Sequence, residues 1–138
     1  MMPDVLQALL EKHRRWVQRK QGGVRLNLAL AELPGCDFSN AELSHAKLSG
    51  ANLSRAILTD AVLCEADLFA INFDRSDLTR ADLTRADLRG AYLRGAKLVG
   101  ADLSQAVLRN CVLSGARLDE TNLTDADLTG AALPEAAQ

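Results

Sequence analysis

Few residue types here could do covalent or metal chemistry, and their spacing decides how far each can go. His13 and His45 are the only histidines, and neither has Cys or Asp partners at the separations of a metal site or a catalytic triad. Cys36, Cys64 and Cys111 are odd in number and lack metal-ligand spacing, which argues against a disulfide framework and fits a reducing compartment. The aspartates, Asp67, Asp82, Asp87 and Asp102 among them, resemble a row of general bases, but they return at multiples of five and so belong to a repeat. The glycines return in the same register and form no phosphate-binding loop. No catalytic set, cofactor site or metal site is expected, and an enzyme is not.

The repeat is the dominant signal. From Leu28 to Leu133 every fifth residue is Leu, with Phe38 and Phe73 as substitutes, giving 22 consecutive units without a register break. Two positions before each stands a small residue, usually Ala. One position before is often Asp or Asn, and the two positions after favour Ser, Thr, Arg and Gly. In an α-helix five residues turn through about 500°, so successive leucines would be smeared around the cylinder. In a straight strand an odd step sends them to alternate faces. A chain that turns a corner of about 90° every five residues brings them all to one axis. Four such units close a square coil, and coils stack through backbone hydrogen bonds. The polar residues between leucines supply turn chemistry at the corners.

Units such as AYLRG, AKLVG and ADLSQ, at Ala91–Leu93, Ala96–Leu98 and Ala101–Leu103, resemble the pentapeptide repeat family over residues 26–133. The resemblance implies an all-β solenoid, a right-handed quadrilateral β-helix. At four units per coil, 22 units make about five and a half coils. Residues 1–25 read as an N-terminal capping helix and 134–138 as a short C-terminal tail.

A stack of coils has raw ends that need covers. Over residues 4–21 apolar side chains recur at three- and four-residue steps: Leu6, Leu9, Leu10, His13, Trp16 and Val17. Asp4 is placed to cap the start and Gly22–Gly23 to stop the helix. Trp16 is expected to lead the apolar face that closes the first coil. The segment is basic: residues 1–25 carry +4, the rest −6. Arg14, Arg15, Arg19 and Lys20 raise a second reading, a helix resting on a membrane surface or on nucleic acid. No apolar run approaches the length of a membrane span, and charges at Asp4 and Glu11 interrupt any leader-like stretch, so a cytoplasmic protein is expected.

At the other end PEAAQ follows Leu133 and is too short for a covering helix. The resemblance implies a tail-to-tail homodimer there, with Tyr92, Val107, Val112, Leu128 and Leu133 as the candidate seam. On the faces, residues twenty apart should stack. Asp67 and Asp87 then share one column, Asp82 and Asp102 another, while Arg75, Arg80 and Arg85 gird the middle coil. These form the candidate partner surface. The expected function is a rigid, non-catalytic protein–protein interaction scaffold of unknown partner, without direct nucleic-acid binding. The resemblance also implies an alternative, a DNA mimic that binds DNA gyrase as the quinolone-resistance members do. That role needs continuous acidic columns in place of phosphates. The intervening arginines, Arg89 and Arg94 included, speak against it.

Overall fold

The computed structural model describes residues 3–135; the first two residues of the expected capping segment and the last three of the expected tail lie outside them. Each outward residue bridges, in parallel, to the residue twenty positions later, as in Asn27 to Lys47, Lys47 to Asp67 and Asp67 to Asp87. A twenty-residue step is four pentapeptides per coil, and the pattern continues to Val112 and Ala132. Two backbone bonds carry each contact. Leu48 N–H donates to the Asp67 carbonyl at 2.9 Å, and Asp67 N–H donates to the Ala46 carbonyl at 2.9 Å.

Each corner is a β-turn. In Leu78–Thr79–Arg80–Ala81 the Ala81 N–H donates to the Leu78 carbonyl at 3.0 Å, and Arg80 is left-handed with φ 58°. Glycine suits that conformation best, yet Leu30, Ala70, Arg55 and many others hold positive φ at the same slot. Each such residue costs on the order of 1 kcal/mol or more. Burial of the neighbouring leucine, roughly 1.5–3 kcal/mol, and the ladder bonds on both sides offset it.

A second device closes the corner. The Asp or Asn before each leucine accepts the N–H two residues on: Asp82 from Thr84 at 3.0 Å, Asn72 from Asp74 at 2.9 Å, Asp102 from Ser104 at 3.0 Å. This local side-chain turn explains why short carboxylates and amides dominate that position.

Inside, Leu48 to Leu108 are at most 1% exposed, as are Phe38, Phe73 and Ile71. Where alanine is replaced by a hydroxyl residue, the hydroxyl finds a carbonyl: Ser76 Oγ donates to Phe73 at 2.7 Å and Thr121 Oγ1 to Leu98 at 2.7 Å. Cys111 is buried and its thiol is pushed up to about 11 by burial, so it stays protonated. Cys36 and Cys64 are half-buried, and Cys64 Sγ donates to Ser44 Oγ at 3.1 Å.

Helix α1 runs Pro3–Val17. Asp4 lies inside its first turn, where a carboxylate complements the helix dipole, rather than before it. The helix also stops earlier than Gly22. Lys20 N–H reaches back to the Arg15 carbonyl and Arg19 N–H to that of Trp16, with Arg19 at φ 57°. That is a Schellman closure with arginine in the left-handed slot. Gly23 serves a different purpose, since a Cβ there would lie 2.4 Å from the Trp16 backbone nitrogen.

The face of α1 on the first coil carries the expected Leu6, Leu9, Leu10 and His13, but Trp16 does not lead it. Leu6 and His13 are the buried residues, Leu9 and Leu10 pack partly buried against the core, and Trp16 is half-buried. His13 joins helix to solenoid. Its Nδ1 accepts the Leu26 N–H at 2.9 Å and its Nε2 lies 2.9 Å from the Ser44 carbonyl, so the ring is neutral with the proton on Nε2. Trp16 stacks on it at 5.5 Å.

Burial holds the His13 pKa below 6.5, only partly opposed by the Ser44 carbonyl and Glu42; Arg25 and His45 lower it further. The unfolded chain therefore takes up a proton before the native one does. Stability is full above pH 6.5 and falls as pH drops below it. Denaturant unfolding across pH 7.5 to about 5 is expected to show this slope, and His13→Ala to lose it while costing about 1–3 kcal/mol. An unchanged slope in that variant would clear His13 of the effect. Carboxylates such as Asp127, lowered from 3.8 to about 2, act in a lower window.

Asp82→Ala is expected to lower the unfolding free energy by about 1 kcal/mol, and Asp82→Asn, which keeps the acceptor, to recover most of it. Equal losses in both would show that the charge and not the turn bond matters.

Candidate interaction surface

The ladder sorts outward side chains into four columns. One reads Asp67, Asp87, Val107, Asp127; the next Asn52, Asn72, Tyr92, Val112, Ala132; the third Ile57, Asp77, Lys97, Arg117; the fourth Val62, Asp82, Asp102, Asn122. Asp67 and Asp87 are therefore stacked neighbours, and so are Asp82 and Asp102.

These carboxylates do not stand free. Each turns one oxygen back to its own corner N–H. Asp87 is also paired with Arg89 at 2.9 and 2.7 Å, which holds its carboxyl below the ordinary range. Asp127 bonds Thr129 and Arg109, the latter at 2.5 Å, and is lowered to about 2.

Arg75, Arg80 and Arg85 occupy three successive corners in left-handed conformation. Two of them have an acid one coil earlier. Arg80 grips Asp60 through Nε and Nη2 at 2.9 and 3.0 Å, lowering the Asp60 carboxyl, and Arg85 stands 3.9 Å from Glu65 and donates to Gln105 at 2.8 Å. Arg75 has no ion-pair partner among the described residues; one coil below it stands Arg55.

The seam residues do not form one patch. Tyr92 and Val112 stack on one lateral face and Val107 lies on the adjoining one. Leu128 and Leu133 are inward positions of the last described coil, where Leu128 is half-buried and Leu133 is 49% exposed. Tyr92 stands two coils from Ala132, away from that end.

Several contacts were not singled out from sequence. Phe69 is 48% exposed with the Arg89 guanidinium 5.4 Å from its ring centroid, and Tyr92 is 42% exposed with Arg94 at 5.4 Å. Arg94 bonds Asp74 through its backbone N–H, Nε and Nη2 at 2.9, 3.0 and 2.6 Å. Asp60 with Arg80, Glu65 with Arg85, and Asp74 with Arg94 are each twenty residues apart, so comparing charges at that offset would have found them. At the opposite end Arg25 lies 5.5 Å over Trp16, and His45, close to Glu65 at 3.2 Å, meets the same indole edge-on. Among the described residues no group of three or more His, Cys, Asp or Glu could hold a metal ion, and no helix is long and apolar enough to cross a membrane.

The family model for pentapeptide repeats matches in 8 copies over residues 25–60, 56–95 and 96–133. No curated protein matches the chain. Among solved structures, the pentapeptide repeat protein Rfr23 from the cyanobacterium Cyanothece 51142 is 30% identical, with 88% of this chain and 95% of that one covered at a TM-score of 0.78. A pentapeptide repeat protein of the Arabidopsis thaliana thylakoid lumen is 31% identical over 77% of this chain and 63% of its own, with a TM-score of 0.38. QnrB1, a plasmid-mediated fluoroquinolone resistance protein, is 27% identical over 78% and 68%, with a TM-score of 0.24. The repeat matched from residue 25 to 133, together with the architecture shared with Rfr23, makes this chain a member of the pentapeptide repeat family, whose fold is the right-handed quadrilateral β-helix.

Proposed function

We propose that this protein is a rigid, non-catalytic scaffold whose lateral faces bind a protein partner. One observation carries the reading: two exposed aromatic rings, Phe69 and Tyr92, each lie under an arginine. Aromatic and arginine side chains dominate binding energy at protein contacts, because they bury large areas at small conformational cost. The backbone beneath them is already bonded, Ala70 N–H to the Arg89 carbonyl and Tyr92 N–H to that of Ile71, both at 2.9 Å. A partner settling on this surface orders no loop, so little binding energy is lost to entropy.

The DNA-gyrase alternative draws on the Asp67–Asp87 and Asp82–Asp102 columns. It is the weaker reading, because those carboxylates are half engaged in their own turns, Arg89 neutralises Asp87, and Val107 interrupts the column.

Affinity capture from host extract with wild type and with Phe69→Ser/Tyr92→Ser separates the readings. Proteins retained by wild type and depleted about tenfold by the variant are expected. An identical set with both proteins would reject this surface. Inhibition of gyrase supercoiling that Asp67→Lys/Asp87→Lys abolishes would put the mimic in its place.

The last described coil supports self-association. Leu118, Leu123 and Leu128 are only partly buried and Leu133 is 49% exposed, where the same positions inside the rod are closed. A second copy covering this end removes that apolar surface from water. Sedimentation should give a dimer, and Leu128→Arg/Leu133→Arg a monomer. Wild type sedimenting as a monomer at about micromolar concentration would rule the dimer out.

A further inference from the structure

At three places an acid is followed one coil later by an arginine that pairs with it: Asp60 by Arg80, Glu65 by Arg85, Asp74 by Arg94. One corner stacks two arginines with no such acid. Arg55 is followed a coil later by Arg75, both left-handed at φ 58°, with their amides pinned to the Asp74 and Arg94 carbonyls at 2.9 and 2.8 Å. The backbones are about 4.8 Å apart, and like charges stacked at that spacing repel. Neither guanidinium has an ion-pair partner among the described residues. The acid closest in sequence to the pair is spent: Asp74 Oδ1 accepts the Arg94 N–H, and Oδ2 accepts Arg94 Nε and Nη2.

The two arginines line an open cavity of about 470 Å³ with Ser54, Asn72, Asp74 and Arg94. Asn72 gives its Oδ1 to the Asp74 N–H, which leaves its amide nitrogen as a donor toward the cavity. The next residues along the corner are Gly95 and Gly115, so no side chain there pairs with or covers Arg75. The depression is rich in unmet donors, and its one carboxylate is already satisfied. The stacked arginines Arg89 and Arg109 are each relieved by an acid, Asp87 and Asp127, so a stacked pair of arginines that no acid relieves stands out as a binding site.

We propose that Arg55 and Arg75 receive the side-chain carboxylates of a short acidic segment on the protein partner, with Asn72 and Ser54 completing the hydrogen bonds and Tyr92 flanking the segment. Guanidinium pairs match carboxylates in a fork geometry. Glu32, farther along the face that carries Asn72, and Asp77, on the face beyond the corner, repel an extended polyanion, so the site favours one or two carboxylates over a nucleic-acid strand. This inference rests on the scaffold reading and names the chemistry of its partner.

The test is fluorescence-polarisation titration of a labelled Gly-Glu-Glu-Tyr-Gly peptide. Wild type is expected to bind saturably, less tightly as salt rises. Arg55→Glu/Arg75→Glu should weaken binding at least about tenfold, whereas Arg80→Ala/Arg85→Ala and Arg19→Ala/Lys20→Ala stay within about twofold. Arg75→Glu alone, facing Arg55, turns the like-charge pair into an ion pair and should raise the thermal midpoint by about 1–4 °C as binding falls. Should the double reversal fail to fold, Arg55→Gln/Arg75→Gln carries the same binding expectation. The proposal is overturned by an absence of saturable wild-type binding, by equal loss in the paired-arginine control, or by tighter binding of inorganic phosphate or a single-stranded oligonucleotide than of the peptide. Capture by the Phe69 and Tyr92 surface is measured separately, so the scaffold reading survives or fails independently.

Discussion

A right-angle corner every five residues requires a left-handed residue in every turn, and L-amino acids resist that conformation. The architecture depends on overcoming this resistance repeatedly with residues as unsuited as Leu30, Ala70 and Arg55. Three local interactions do it together. The turn bond from the inward amide to the leucine carbonyl fixes the corner, the short Asp or Asn side chain caps it, and the next coil accepts and donates on both sides. None would hold alone. Their spacing is such that each corner is clamped by a leucine that has no other place to go but the shaft.

Once corners are clamped, the surface becomes a lattice whose rows are twenty residues long. The backbone cannot move to relieve a poor neighbour, so an arginine is relieved by an acid one coil away or on its own corner. Asp60 with Arg80 and Asp74 with Arg94 show the matching. The same rigidity makes an unmatched pair such as Arg55 and Arg75 informative, because the frame gives neither backbone a way to turn aside. It also suits the rod to recognition, since its rings and guanidinium groups are held in position before any partner arrives.

The helix at the first coil solves a different problem. It covers the shaft with Leu6 and supplies, through His13, both a donor and an acceptor to backbone groups that no preceding coil is there to satisfy. A purely apolar cap would have buried the Leu26 amide and the Ser44 carbonyl unpaired. The helix thereby sets the register of the first coil and ties its stability to the protonation of one imidazole.

The period of five, read with the small residue two positions earlier, determined the shaft, the columns and the stacking of Asp67 on Asp87, because leucine burial and a square turn leave one way to satisfy every unit. Local sequence placed His13 on the face that meets the coil but did not rank it above Trp16. Trp16 carried the larger apolar area, but the buried place went to His13, because unpaired backbone groups cost more than a half-exposed ring gains. The helix stop at Arg19 instead of the glycines was equally hidden, since a left-handed arginine is tolerated only where neighbouring backbone bonds over-determine it. Which arginines are paired and which stand over Phe69 or Tyr92 depends on partners twenty residues away. That distance acquires meaning only when four pentapeptides close a coil, so tertiary structure alone decided it.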